Sequence, residues 1–385
     1  MNLRLSRGAA LGAALSLSLF LPLLLPLSAH AEDGVGKSSV LFGVSSEFSG
    51  QAVAKEGTDG ALAYFAYVNK RGGVYGRRIE LKTYDDGRDV KKTVDNTERL
   101  ITQDKVFALF GYRSTPTVEA AIPAAVRHGV PMIGPFSGAQ SLREPFSPLV
   151  FHLRASYQQE AGAIIDQLAV QQIRKIAVLH QDDSFGKDAL AGFDKALARY
   201  KLSAVATASY SRKDLNVDEA SKALAAASPG AIVMACTPSA CIDFIKRTKA
   251  RTRGTQFYLL SNVNTNEFAS ELAADGNGVV VSQIVPSPWN TALPLVREYQ
   301  DALREAGDTA APGYSGFEGF VTAKLLVTAL QRAGAEPTRA KFIAALESMR
   351  EVDLGGMFVR YSPSNHQGST MVELTMINRN GKYIR

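Results

Sequence analysis

An α/β fold with two doubly wound lobes is predicted by three observations. Strand-like and helix-like segments alternate from Val40 to Pro135, a second alternating series begins near Ser156, and the loops between segments are short. Such alternation is the signature of a parallel sheet with helices on both faces. A chain of 385 residues also suits two domains at roughly 150 residues each.

In the first series Val40–Val44, Ile79–Tyr84, Val106–Phe110 and Pro131–Ile133 are predicted as strands. Between them Asp59–Asn69, Val90–Thr102 and Thr117–Arg127 carry apolar residues at helical spacing. The cluster from Gly72 to Gly76 stops the first helix, as glycines past a helix end do. In the second series the strands are Ile176–Leu179, Val205–Ala208, Ile232–Ala235, Phe257–Leu260 and Val279–Gln283. They alternate with helices Gln159–Val170, Gly186–Arg199, Val217–Ala227, Cys241–Lys249 and Asn266–Leu272. Two long helices follow, Leu293–Glu305 and Ser315–Arg332, then Thr338–Ser348, with Pro337 expected at a helix N1 position, where its missing N–H costs nothing. Phe358–Tyr361 and Met371–Ile377 close the chain as strands. Two sheets need two cores, and interruptions near Arg154 and Ile284 suggest that the chain passes between them more than once.

Residues 1–31 read as an export signal. Arg4 and Arg7 form a basic start, Leu11 to Leu27 an apolar run, and Ala29-His30-Ala31 a small-residue cleavage site. Pro22 and Pro26 break the apolar run, which argues against a membrane anchor, and no Cys follows the site to carry a lipid. Cleavage near Ala31 is expected. No later stretch approaches the roughly 18 continuous apolar residues of a membrane span. Hydrophobic residues make up 46% and charged residues 21%, as in an ordinary globular protein. The net charge of +6 is scattered rather than gathered in a stripe, so no nucleic-acid partner is expected. Cys236 and Cys241 are the only cysteines. An oxidising compartment allows a local disulfide between them, with two buried thiols or a redox pair as the other readings, although C-x4-C is no recognised redox spacing. A bridge would be expected to bear on stability and not on ligand binding, since it closes a very short loop.

The stretch from Asn69 to Asp86, NKRGGVYGRRIELKTYDD, and the order of turns and strands after it resemble the leucine/isoleucine/valine-binding family of periplasmic proteins. The resemblance covers nearly the whole chain after residue 31. It implies a type I periplasmic binding protein, the soluble receptor of an ABC importer, with lobes joined by a three-strand hinge. Carried over, lobe one is residues 38–155 and 285–365, and lobe two is residues 156–284 and 366–385. The implied partners are a small ligand, an amino acid or organic acid, and the importer's membrane subunits, with the receptor a monomer in the periplasm. No cofactor and no metal are implied.

Open α/β sheets bind ligands where strand ends lead into helix N-termini, whose free N–H groups suit a carboxylate. Two turns of lobe one have this form, from Gly111 to Thr117 and from Gly134 to Ala139, although helix capping explains one hydroxyl in each. By the resemblance, Thr115 matches the family's carboxylate-binding serine, and Phe136, Ser137 and Gly138 match its small-residue triplet. Phe136 and Gly138 depart from the usual Ala and Thr. Arg113 stands beside them and could pair with an acid or lie on the surface. On lobe two, Phe185 falls where the family has a tyrosine covering the ligand, and Thr237 joins the expected site. Ser261 falls where the family has the glutamate that pairs with a ligand's amine, and it offers no charge. Glu56, where the family has an aromatic residue, is the other candidate for an amine. His180, Asp182 and Asp183 look like metal ligands, but no second cluster completes the set.

Enzyme signatures are lacking: there is no G-x-S-x-G elbow, no H-E-x-x-H, no P-loop and no G-x-G-x-x-G turn. The expected function is capture of an amino acid or related carboxylate for an importer, with a sensor of the same fold or a secreted hydrolase as alternatives.

Overall fold

The computed structural model describes Met1 and residues 32–49, 52–307 and 311–384. The export signal expected in residues 1–31 lies, apart from Met1, outside the described residues.

The first series gives β1 (Ser39–Ser46), α1 (Ala52–Lys70), β2 (Arg78–Asp85), α2 (Val90–Thr102), β3 (Ala108–Phe110), α3 (Thr115–Arg127), β4 (Met132–Ile133) and β5 (Val150–Phe151). Its five strands form a parallel sheet in the order β2-β1-β3-β4-β5. The second series gives α4 (Tyr157–Val170), β6 (Ile176–Gln181), α5 (Ser184–Arg199), β7 (Ala206–Tyr210) and α6 (Asp218–Ala226). It continues with β8 (Ala231–Ala235), α7 (Pro238–Arg251), β9 (Gln256–Leu259), α8 (Asn266–Leu272) and β10 (Val280–Gln283). The chain then runs through α9 (Pro294–Ala306), α10 (Tyr314–Ala333) and α11 (Arg339–Glu347). It ends in β11 (Val352–Asp353), β12 (Phe358–Val359), β13 (Glu373–Ile377) and β14 (Tyr383–Ile384). The second sheet has the order β14-β13-β10-β9-β8-β6-β7, with β6 to β10 parallel and the last two strands antiparallel. Every residue of β6 and β8 is buried, as parallel strands covered on both faces must be.

The C-terminal helices return to the first sheet. α10 packs along α1, and the two backbones touch where Gly57 and Gly60 meet Gly316 and Gly319. A Cβ on Gly60 would collide with the Gly316 carbonyl, and one on Gly319 with the Gly57 carbonyl. That close approach needs Gly60 and Gly319 to be without side chains. Around it, Tyr64 and Phe320 sit edge to face at 4.8 Å, and Phe107 and Phe342 do so at 5.3 Å.

Three segments link the sheets: residues 152–156, 284–293 and 360–372. The first and third are laddered together. His152 N–H donates to the His366 carbonyl at 2.9 Å, Gly368 N–H to the His152 carbonyl at 2.7 Å, and Ser369 N–H to the Leu153 carbonyl at 2.9 Å. At this crossing lies a buried ion cluster. The Arg154 guanidinium donates to Glu160 of α4 at 3.2 Å, to Glu318 of α10 at 3.3 Å and to Ser261. Burial works against the Arg154 charge, but Glu318, Tyr157 and Glu160 outweigh it and hold the group above its ordinary range. Glu318 is pushed up by burial, although Arg154 and Arg113 pull it back.

Some details differ from the sequence reading. Pro337 is not at N1: Thr338 is the cap, accepting from Lys341 N–H at 3.2 Å, so the proline precedes it. The strand expected at Phe358–Tyr361 stops at Val359, and β5, β11 and β14 were not expected. Helix α3 starts at Thr115, two residues early, because the turn before it is shorter than the run of hydroxyls suggested.

Candidate functional site

The rims of the two sheets face each other across a cleft that is open to solvent at its mouth. The sequence of each strand end explains its share of the wall. After β3, Gly111 adopts φ 63° and Ser114 φ 74°, a strained value for a side-chain-bearing residue. This turn aims Arg113 inward and leaves the N-terminus of α3 without a side-chain cap. The first N–H groups of a helix have no partner within it, so this end offers donors to the cleft. After β4 the chain comes back beside it, Phe136 N–H donating to the Tyr112 carbonyl at 2.7 Å. Thr115 and Ser137 share a hydroxyl hydrogen bond of 2.8 Å.

Arg113 is half-buried, and its guanidinium donates to the Asn262 carbonyl of the opposite lobe at 2.9 Å. Among the described residues, no carboxylate lies within salt-bridge distance of it. Burial, more than any neighbour, lowers its affinity for its proton. The other cations of the cleft are matched. Arg88 lies 3.8 Å from Glu47, and Arg212 lies 3.1 Å from Asp183. Asp86 accepts from the hydroxyls of Ser45 and Thr93, each at 3.0 Å, and from Arg88 N–H at 2.9 Å.

From the second sheet, Gln181, Phe185, Thr237, Pro238 and Asn262 face the cleft. The Tyr210 hydroxyl ties two of them together, donating to Gln181 at 3.1 Å and accepting from Thr237 N–H at 2.9 Å. Arg212 reaches over to the Arg88 carbonyl at 2.9 Å and to Ser114 Oγ at 3.4 Å. Gln140 N–H donates to Asp188 of α5 at 2.7 Å. The lobes are therefore bonded to each other directly.

Of the residues named from sequence, Thr115, Phe136, Phe185 and Thr237 line this cleft. Glu56, Ser137, Gly138 and Ser261 do not. Ser137 is buried behind Thr115. Gly138 gives room to Tyr157, whose ring and N–H would lie 2.7 Å from an added Cβ. Ser261 is drawn into the Arg154 cluster, its N–H donating to Glu160 at 2.8 Å. Arg113 lies in the cleft and not on the surface. Asp183 caps α5 through Gly186 N–H at 3.1 Å, Asp182 pairs with Lys187 at 3.2 Å, and His180 Nδ1 lies 3.0 Å from the Gln181 carbonyl. Sequence reasoning missed Glu47, Asp86, Arg88, Tyr157 and Asn262, all on the cleft wall, where Ser114 of the expected turn also lies. The rule used for β3 and β4 would have reached Glu47, Asp86 and Arg88 had it been applied to the ends of β1 and β2.

Glu56 lies in α1, close enough to Arg113 for their charges to interact. Its carboxyl is pushed up from 4.5 to about 7, first by burial and then by Glu267 of α8 and by Asp59, with Arg113 and Lys55 opposing. The folded state therefore holds this proton more tightly than the unfolded chain. Stability from it is complete below about pH 4.5 and is lost as pH rises through about 7. The expected swing is on the order of 2 kcal/mol after allowance for solvent screening. Melting curves from acid to mildly basic pH should show this fall in the parent and a flatter profile in Glu56→Gln. Equal profiles would count against the assignment.

Cys236 and Cys241 are bridged, with Cα atoms 5.6 Å apart. The bridge closes the loop that presents Thr237 and Pro238 to the cleft. That placement gives the bridge a route to the ligand besides its effect on stability. Cys236→Ser/Cys241→Ser should lose about 1–3 kcal/mol of stability and also weaken ligand binding several-fold, read by urea unfolding and calorimetry. Unchanged affinity would return the bridge to a purely structural role.

The family model for periplasmic binding proteins matches residues 39–382. The chain is 32% identical to a substrate-binding periplasmic protein from Ralstonia solanacearum, covering 89% of this chain and 99% of that one, with a TM-score of 0.84. It is 29% identical to a structure described as a possible leucine/isoleucine/valine-binding protein from Rhodopirellula baltica, covering 93% and 98%, also at 0.84. An amino acid binding protein from Pseudomonas aeruginosa is 26% identical over 164 residues; the match spans 42% of each chain, so less than half of that relative's length. Among the described residues, no helix is long and apolar enough to cross a membrane.

Proposed function

This chain belongs to the periplasmic binding protein family, and on that premise we propose that it captures an amino acid or related small organic carboxylate between its lobes and delivers it to an ABC importer. Arg113 carries this reading. A cation with no carboxylate in salt-bridge distance among the described residues, set beside an uncapped helix N-terminus in a narrow cleft, is suited to a carboxylate, which a guanidinium holds with two parallel hydrogen bonds. Thr115 adds a hydroxyl. Phe136 and Phe185, from opposite lobes, cover the ligand's body.

With lobe one taken as residues 38–155 and 285–365 and lobe two as 156–284 and 366–385, the three linking segments act as the hinge. Ligand contacts that exist only when the lobes meet shift the population to the closed form. The membrane subunits then read the closed face. Residues 1–31 direct export, and the receptor works as a periplasmic monomer. Family members are binding proteins, and no chemical step is assigned to this cleft.

A thermal-shift panel of amino acids, aromatic acids, dicarboxylates and amides tests the reading. A true ligand at about 100 times its Kd stabilises the protein by roughly 2.7 kcal/mol. Carboxylates should stabilise and the matching amides should not; equal shifts from both would refute a carboxylate anchor. Loss of uptake of the bound acid on gene deletion supports the importer role, whereas unchanged uptake points to a sensor.

A further inference from the structure

We infer that the cleft prefers carboxylates without a cationic group, built on an apolar or aromatic body and carrying at most a neutral donor, over α-amino acids of the same skeleton. This rests on the carboxylate reading and narrows it. The cleft-lining acids are Glu47 and Asp86. Glu47 faces Arg88 at 3.8 Å, and Asp86 already accepts three hydrogen bonds within the protein. Asp183, at the rim, holds Arg212 and accepts from Gln181 and Gly186 N–H. An ammonium would have to take one of these carboxylates from its present partners, or draw on Glu56, which is outside the cleft lining and whose carboxyl burial pushes up to about 7. Taking Glu47 would strip Arg88 of its counter-ion in a half-closed, poorly hydrated space.

Where an acid for an amine was sought in the sequence, Ser261 is occupied by Arg154, a further cation. The Asn262 amide oxygen is buried without a partner. As a single neutral acceptor it suits one hydroxyl better than the three N–H groups of an ammonium. Among these polar groups one stretch of wall is aromatic: Phe136, Phe185 and Tyr157 line the cleft, the last two edge to face at 5.1 Å.

Calorimetry with matched sets decides the matter: phenylalanine, 3-phenyllactate and 3-phenylpropionate, then leucine and its α-hydroxy and deaminated analogues. In at least one set the amine-free acids should bind about tenfold or more tighter than the amino acid. Asn262→Asp, which adds an acid to the wall, should narrow or reverse that preference. Equal or tighter binding of the amino acids overturns the inference. If that binding is still lost in Arg113→Ala, the carboxylate reading survives alone. If no member of either set binds, the inference is overturned as well.

Discussion

Replacing Arg113 with alanine is expected to weaken binding of the cleft's carboxylate by about 2–4 kcal/mol, roughly 30- to 700-fold in Kd. Among the described residues no acid lies within salt-bridge distance of the guanidinium, so on the proposed function a bound carboxylate is its counter-ion and the loss falls on binding. Stability should respond differently. The side chain gives up one cross-lobe hydrogen bond, to the Asn262 carbonyl at 2.9 Å, and relieves the cost of a desolvated cation. The ligand-free variant should therefore melt within a few degrees of the parent, corresponding to about 1 kcal/mol or less. Arg113→Lys should fall between, since it keeps the charge and loses the paired donors. Calorimetry and melting on the same three proteins separate the two effects. A variant that binds normally, or that binds poorly only because it unfolds, would contradict the assignment.

The second large effect is on stability. Arg154→Met removes the one cation shared by Glu160 and Glu318, both buried. Breaking a buried ion cluster by removing one partner leaves uncompensated charge in a poor solvent, at a cost of about 3–5 kcal/mol. Ser261 and Ser282, which bond to the same cluster, lose their arrangement with it. Adding Glu160→Gln and Glu318→Gln to Arg154→Met should recover part of the loss, because no buried charge is then left alone. Urea unfolding of the single and triple variants tests this. A single variant as stable as the parent would mean that the cluster contributes nothing to holding α4 and α10 together.

The long strands and helices were legible because each carries its own periodicity: α2 runs from Val90 to Thr102, the bounds read from its spacing. The pairs Val150–Phe151, Val352–Asp353 and Tyr383–Ile384 were not. Two residues cannot show a period, and these strands form only because a neighbour is already in place. The same divide runs through the cleft. Thr115, Phe136, Phe185 and Thr237 follow strands at the sheet's carboxyl edge, so local pattern leads to them. Ser261 also follows a strand, yet Arg154, more than a hundred positions earlier, turns it away from the cleft. Nothing near Ser261 in the chain announces that contact. Gly138 is similar: its lack of a side chain answers Tyr157 across the crossing segment and not a ligand. Arg113 could be read either as surface or as anchor until the opposite lobe was in place to cover it.

On the proposed function, a carboxylate is held between the lobes by Arg113 and the start of α3. The most direct measurement is a crystal structure with the tightest-binding acid from the matched sets. The carboxylate is expected against the Arg113 guanidinium and the N–H groups of Thr115 and Thr117, with the ligand's body between Phe136 and Phe185. A ligand bound outside this cleft, or one whose carboxylate faces away from Arg113, would contradict it.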